Sequence, residues 1–113
     1  MNKKLIYIAG PYSVGDVGEN MHSHLEAAHQ VIAFGHVPIV PVLSHYLHIH
    51  NPQPYEKWME LDLAMLDRCD GLWRLAGESP GADREVAHAR IKGIDWSLSL
   101  SALIAKLSRY ETN

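Results

Sequence analysis

The sequence has 113 residues, 47% of them hydrophobic, with 10 Lys and Arg against 13 Asp and Glu and a formal charge of -3. That length suits one domain over residues 1–113, and a mildly acidic balance with no basic cluster excludes polymeric nucleic acid as the expected partner. A single cysteine, Cys69, leaves no intramolecular disulfide, the N-terminal apolar run is too short for a signal peptide, and no apolar stretch approaches the roughly 20 residues that span a bilayer, so a cytoplasmic protein without membrane contact is expected.

KLIYIAG is a short, continuous apolar run that stops at Gly10 and Pro11, which predicts a buried first strand over Leu5–Ala9. From Glu19 to Phe34, the residues Met21, Leu25, Ala28, Val31 and Ile32 recur at three- and four-residue steps, and Gly35 follows as a stop signal for an amphipathic helix. HVPIVPV predicts a second strand, at the sheet edge because Pro38 and Pro41 lack backbone donors. Leu43 to Pro54, LSHYLHIHNPQP, has no periodicity and reads as a loop or mobile flap. Between Tyr55 and Cys69, Trp58, Met59, Leu61, Ala64, Met65 and Leu66 form a helical stripe, and DGLWRL follows as a third buried strand. Pro80 opens a helix with Ala82, Val86 and Ala89 toward the core, and Gly93 ends it before a weak strand near Ile94–Leu98. Ser101 is expected to cap a last helix running through Leu107.

Strand and helix alternate with short connections, which predicts the α/β class: an open parallel sheet with helices on both faces and right-handed crossovers. Ligands of such sheets bind beyond the carboxyl ends of the strands, where strand order reverses. AGPYS and LAGESPGAD, at the ends of the first and third strands, are therefore the segments to inspect.

In AGPYSVGDVG, Gly10, Gly15 and Gly18 precede a helix whose amino end favours anions, yet the Walker and GxGxxG spacings are absent and a plain strand-to-helix turn fits the same residues. Ser79 and Gly81 of SPGADRE suit a bound phosphate or carboxylate, and Ser79 equally suits a helix cap, with Asp83 and Glu85 complementing the dipole. Glu85 stands one position from Val86 of the core stripe, on the border of the sheet-packing face, where a purely capping acid would point away. Asp62 lies between WMEL and LAML, and a charge in that company needs a cavity or a partner. The histidines include His45, His48 and His50 in one stretch, but without Cys pairs or an HExxH pattern no metal site is expected. His22, His24, His29 and His36 read as surface or partial core, and Cys69 as a buried, inert thiol.

Taken as a set, IYIAGPYS, YEKWMELDLAMLDRCDGLW and ESPGADREVAHA resemble the nucleoside 2-deoxyribosyltransferase-like superfamily and are similar to its 2'-deoxynucleoside 5'-monophosphate N-hydrolases, over about Leu5 to Gly93. The resemblance implies a flavodoxin-like, Rossmann-like sheet of five parallel strands in the order 2-1-3-4-5. It implies cleavage of an N-glycosidic bond, or (deoxy)ribosyl transfer, on a small-molecule nucleoside or nucleoside 5'-monophosphate. Glu85 would be the nucleophile at the anomeric carbon, Tyr7 its orienting hydrogen-bond partner, and Asp62 the group that binds or protonates the departing base. By the same resemblance Ser79 and Gly81 hold a 5'-phosphate, Gly10, Pro11, Tyr12 and Ser13 form the opposite side of the pocket, and Ser101 serves a neighbouring subunit of a homo-oligomer, a dimer or larger. No cofactor is implied. Asp83 and Arg84 stand where relatives are often apolar or small, and SHYLHIHNPQP is unlike the corresponding loop of either characterised branch. A nucleotide-binding or sensing domain of little catalytic power, or an interaction module whose acids are only caps, are the competing readings.

Overall fold

The computed structural model describes residues 2–109. Strands β1 (Leu5–Ala9), β2 (Val37–Ile39), β3 (Gly71–Arg74) and β4 (Asp95–Ser97) form one parallel sheet in the order β2-β1-β3-β4. Pro38, which cannot donate to a ladder, sits opposite Ile6 on the edge strand β2, where that deficit is tolerated. The fifth strand implied by the resemblance is not present among the described residues. After β4 the chain turns through Ser99 into a helix, because Leu100, Leu103 and Leu107 recur at helical steps and bury together.

The alternation of side chains along β1 divides the interior into two layers. Ile6 and Ile8 face α1 (Val17–Ala33) and α5 (Leu100–Ser108), packing with Ala27, Ala28, Val31, Trp73, Leu100, Leu103 and Leu107. Tyr7 and Ala9 face the other way, against Leu66 of α3 (Tyr55–Leu66) and Ala82 and Ala89 of α4 (Pro80–Lys92), with Leu72 and Cys69. A sheet covered on both faces explains why β1 and β3 read as continuous apolar runs rather than alternating ones. Among the described residues, no helix is long and apolar enough to cross a membrane.

Several local readings are corrected. α1 begins at Val17 rather than Glu19 and is capped by Asp16, whose carboxylate accepts the Glu19 amide at 2.9 Å. The inward stripe of α1 is Met21, His24, Ala27, Ala28 and Val31, while Leu25 and Ile32 face solvent. The second strand stops at Ile39, and Pro41 and Val42 of its expected run instead join Leu43 in a 3-10 turn that leads into a short helix α2, Ser44–His50, inside the expected flap. Pro41 presets the turn and Leu43 and Ser44 continue it in helical backbone geometry, but α2 buries no residue, so no apolar periodicity announces it. α3 stops at Leu66, its end tightening into i to i+3 bonds at Arg68 and Cys69, and of its expected stripe only Met59 and Leu66 are buried. Ser99 rather than Ser101 caps α5, its hydroxyl accepting the Ala102 amide at 3.3 Å.

Candidate active site

β1 connects outward to β2 on one side and β3 lies on the other, so the carboxyl ends of β1 and β3 flank the point where strand order reverses. The loop after β1 and the loop after β3 meet there. Leu75 donates its amide to the Ala9 carbonyl at 2.8 Å, and Gly10 lies so close to Leu75 that a Cβ on it would stand 2.9 Å from the Leu75 Cβ. Gly77 has a φ of 114° and faces the Pro11 ring, leaving no space for a side chain. Arg74, buried at the end of β3, gives its guanidinium to the carbonyls of Leu75 and Gly77 and to the Asp83 carboxylate, which pins the β3 loop to the first turn of α4. Asn20 of α1 holds the first loop by donating to the Tyr12 and Val14 carbonyls, each at 2.8 Å.

Between these loops, α2 and α3 lies a cavity of about 320 Å³, a size suited to a small ligand. Gly10, Tyr12 and Ser13 line one side and Ser79, Gly81 and Glu85 the other, with Asp62 and Trp58 of α3 and His45 and His48 of α2 closing it. Ser79 caps α4: its hydroxyl accepts the Ala82 amide at 3.1 Å and reaches toward the Gly10 carbonyl at 3.4 Å.

Glu85 is 7% exposed and lies on this wall because it occupies the second turn of α4 on the face between Ala82 and Ala89. Tyr7, fully buried beneath it on β1, donates its hydroxyl to Glu85 Oε2. Burial pushes the Glu85 carboxyl up to about 7; the Tyr7 hydrogen bond opposes that rise and the nearby charge of Asp62 adds to it. Asp62 is likewise pushed up to about 7 by burial, and its Oδ1 is buried without a protein partner. Burial, then the charges of Glu85 and Asp62, raise the Tyr7 hydroxyl far above its ordinary range, so it stays a donor. The arrangement is two carboxyl groups poised near neutrality around one cavity, one of them held by a tyrosine. Such a set can deliver a nucleophilic carboxylate and a carboxylic acid at the same pH.

Tyr7, Asp62, Glu85, Ser79, Gly81, Gly10, Tyr12 and Ser13 are thus brought to one place, with Tyr7 behind Glu85 rather than on the cavity surface. Pro11 packs beneath the loop, its carbonyl accepting His24 Nε2 at 3.1 Å. Ser101 does not join them: it is exposed on α5, with its hydroxyl 3.1 Å from that of Ser99. Asp83 and Arg84 both have partners, Arg74 for the first and a bidentate pair with Glu56 of α3 for the second.

The places of His24, His45, His48 and Trp58 on the cavity wall, and of Arg74 behind the β3 loop, emerge only from the structure. His24 is 3% exposed, and burial pulls its imidazole below the usual range. His45 Nδ1 hydrogen-bonds the Tyr12 hydroxyl, and His48 Nδ1 accepts both Trp58 Nε1 at 2.8 Å and the Gln53 amide at 3.2 Å. The 21, 24, 28, 31 stepping of α1 was a signal for His24; nothing comparable marks the others. Cys69 is buried, donates to the Met65 carbonyl, and has its thiol pushed up to about 12, chiefly by burial. Among the described residues, no group of three His, Cys, Asp or Glu side chains is placed to hold a metal ion.

No curated protein matches the chain. Residues 4–98 match a family described as a domain of unknown function, DUF7768. The matched span takes in all four strands and every residue lining the cavity, and ends before α5. The chain belongs to the DUF7768 family.

Proposed function

We propose that the protein cleaves the N-glycosidic bond of a nucleoside or nucleotide, by hydrolysis or by transfer of the (deoxy)ribosyl group to a second base. The observation that carries this reading is the Glu85 carboxyl group, buried on the cavity wall, held by Tyr7 and facing a second acid, Asp62, of matched acidity. The resemblance to the nucleoside 2-deoxyribosyltransferase-like superfamily supports it.

As the bond from C1' to the base nitrogen breaks, positive charge develops on the sugar, and an ionised Glu85 stabilises it and then bonds to C1' through an oxygen. Tyr7 holds Oε2, which leaves Oε1 to attack. Asp62, in its protonated form, passes a proton to the departing base. In the second half, water attacks C1', Glu85 leaves as carboxylate, and the water proton returns to Asp62; an incoming base in place of water gives transfer.

Incubating the protein with paired nucleosides and 5'-monophosphates and separating free base by chromatography tests the reading. Base release is expected, and Glu85→Gln should reduce it at least about a thousandfold while leaving the folded spectrum intact. Unchanged turnover in that variant would remove Glu85 from the chemistry. Stabilisation by ligand without any base release would favour a binding or sensing domain on the same scaffold. The reading includes a homo-oligomer, in which a second copy covers exposed apolar side chains such as Tyr46, Leu47 and Ile49 of α2 and brings Ser101 toward a neighbouring cavity. Light scattering should then return the mass of two chains or more, and a single-chain mass at assay concentration would remove that part.

A further inference from the structure

Resting on that reading of the cavity, we propose that its substrate is an uncharged nucleoside and that a 5'-phosphate is selected against. Among the described residues, no Lys or Arg lines the cavity, whereas Glu85 and Asp62 both do. Two basic residues near the cavity, Arg74 at the end of β3 and Arg84 near the start of α4, are committed elsewhere: Arg74 to two loop carbonyls and Asp83, Arg84 to Glu56. His24 is held toward its neutral form by burial, and His48 spends Nδ1 accepting two N–H groups, which requires that nitrogen to be unprotonated. A phosphate entering this cavity meets no Lys or Arg side chain among the described residues.

The start of α4, the natural place for an anion, is also poor in donors. Pro80 has no N–H, the Ala82 amide is taken by Ser79 Oγ at 3.1 Å, and the Asp83 amide by the Ser79 carbonyl at 3.0 Å. Of the first turn, only the Gly81 amide is left. The Ser79 hydroxyl proton points to the Gly10 carbonyl, so Ser79 keeps one lone pair to offer and no donor. One N–H and one lone pair match a hydroxyl group, which both accepts and donates, such as the 5'-OH of a nucleoside. They do not match a phosphate, whose oxygens all seek donors.

Charge on the ligand would also work against the chemistry. Glu85 sits near half-ionisation at neutral pH. Each negative charge fixed about 10 Å away, at an effective dielectric near 20, would cut its ionised fraction about tenfold. A dianionic phosphate would therefore leave the nucleophile almost wholly protonated unless a cation screened it.

The test measures kcat/KM at pH 7 for matched pairs of nucleosides and their 5'-monophosphates, read as free base released. Nucleosides should exceed their monophosphates by about tenfold or more, the factor expected from a single unscreened charge. Equal or better use of monophosphates would overturn this inference while leaving the glycosidase reading in place. Release from neither class would overturn that reading and this one with it. Ser13→Lys, which sets a cation on the cavity rim, should shift the monophosphate-to-nucleoside ratio toward the monophosphate; an unchanged ratio would show that charge is not what discriminates.

Discussion

Glu85 has been taken out of water by folding with a tyrosine hydroxyl, rather than a cation, as its close partner. Its carboxyl titrates near 4.5 in an unfolded chain and near 7 in the fold. Between those values the folded state keeps a proton that the unfolded state has lost, so the contribution is fully present below 4.5 and declines as pH rises through 7. For Glu85 alone the decline is at most about 3 kcal/mol, and Asp62 acts in the same direction. Melting temperature followed from pH 4.5 to 7 should therefore fall more steeply in the wild type than in an Asp62→Asn, Glu85→Gln double variant; parallel curves would mean that neither acid is perturbed. The same pair shapes the rate, because Glu85 must be ionised while Asp62 holds a proton. The two titrate as a coupled unit, so kcat/KM should peak near neutrality and fall on both sides. Asp62→Asn should lose the alkaline limb along with about a hundredfold in rate; a persisting limb would assign it to another group. Asp62, a charge among apolar helix positions, and Glu85, at the border of the core stripe, each stand out in the sequence, and the resemblance implies that they meet. Arg74 and Asn20 do not stand out, since their partners are loop carbonyls that acquire positions only when the chain is folded.

At the scale of elements, what the sequence reveals tracks what each element buries. β1, β3 and α4 carry apolar runs or stripes closed by Pro and Gly signals, and they lie close to where those signals put them. Gly93 ends α4 with a φ of 74°, the left-handed geometry a helix-terminating glycine supplies. α1 is legible in extent but not in facing, because Leu25 and Ile32 are as apolar as the residues that pack and His24 occupies an inward position. α2 is the extreme case: no side chain in it is buried, and its hold on the molecule consists of polar and ring contacts from His45 to Tyr12 and from His48 to Trp58 and Gln53. His48→Phe preserves the ring but removes the acceptor of two hydrogen bonds, each worth about 1 kcal/mol. Amide exchange over residues 44–54 should then accelerate about tenfold or more while the global melting temperature moves little, since α2 can open by itself. Unchanged exchange would show that another contact fixes the segment.

Across the whole molecule, the sheet separates two apolar layers, and the cavity opens where chain from both sides of the sheet converges. Its walls come from the first loop, α2, α3 and the start of α4; α3 and α4 share one apolar layer, whereas α2 is held to the first loop and to α3 by polar and ring contacts. A ligand seated there would contact all four at once, so its binding free energy would appear as stability of the entire fold and not of one element. The Glu85→Gln variant isolates this effect, because it should bind substrate without consuming it. With a nucleoside at about 100 times its Kd, linkage supplies about 2.7 kcal/mol, which for a domain of this size raises the melting temperature by roughly 10 °C. Hydrogen exchange in the same sample should slow together in residues 10–14, 44–54, 58–62 and 79–85. Protection confined to one of these segments, or a stabilisation that persists after the cavity is blocked by Gly81→Trp, would place the ligand elsewhere on the surface and detach the carboxyl pair from substrate binding.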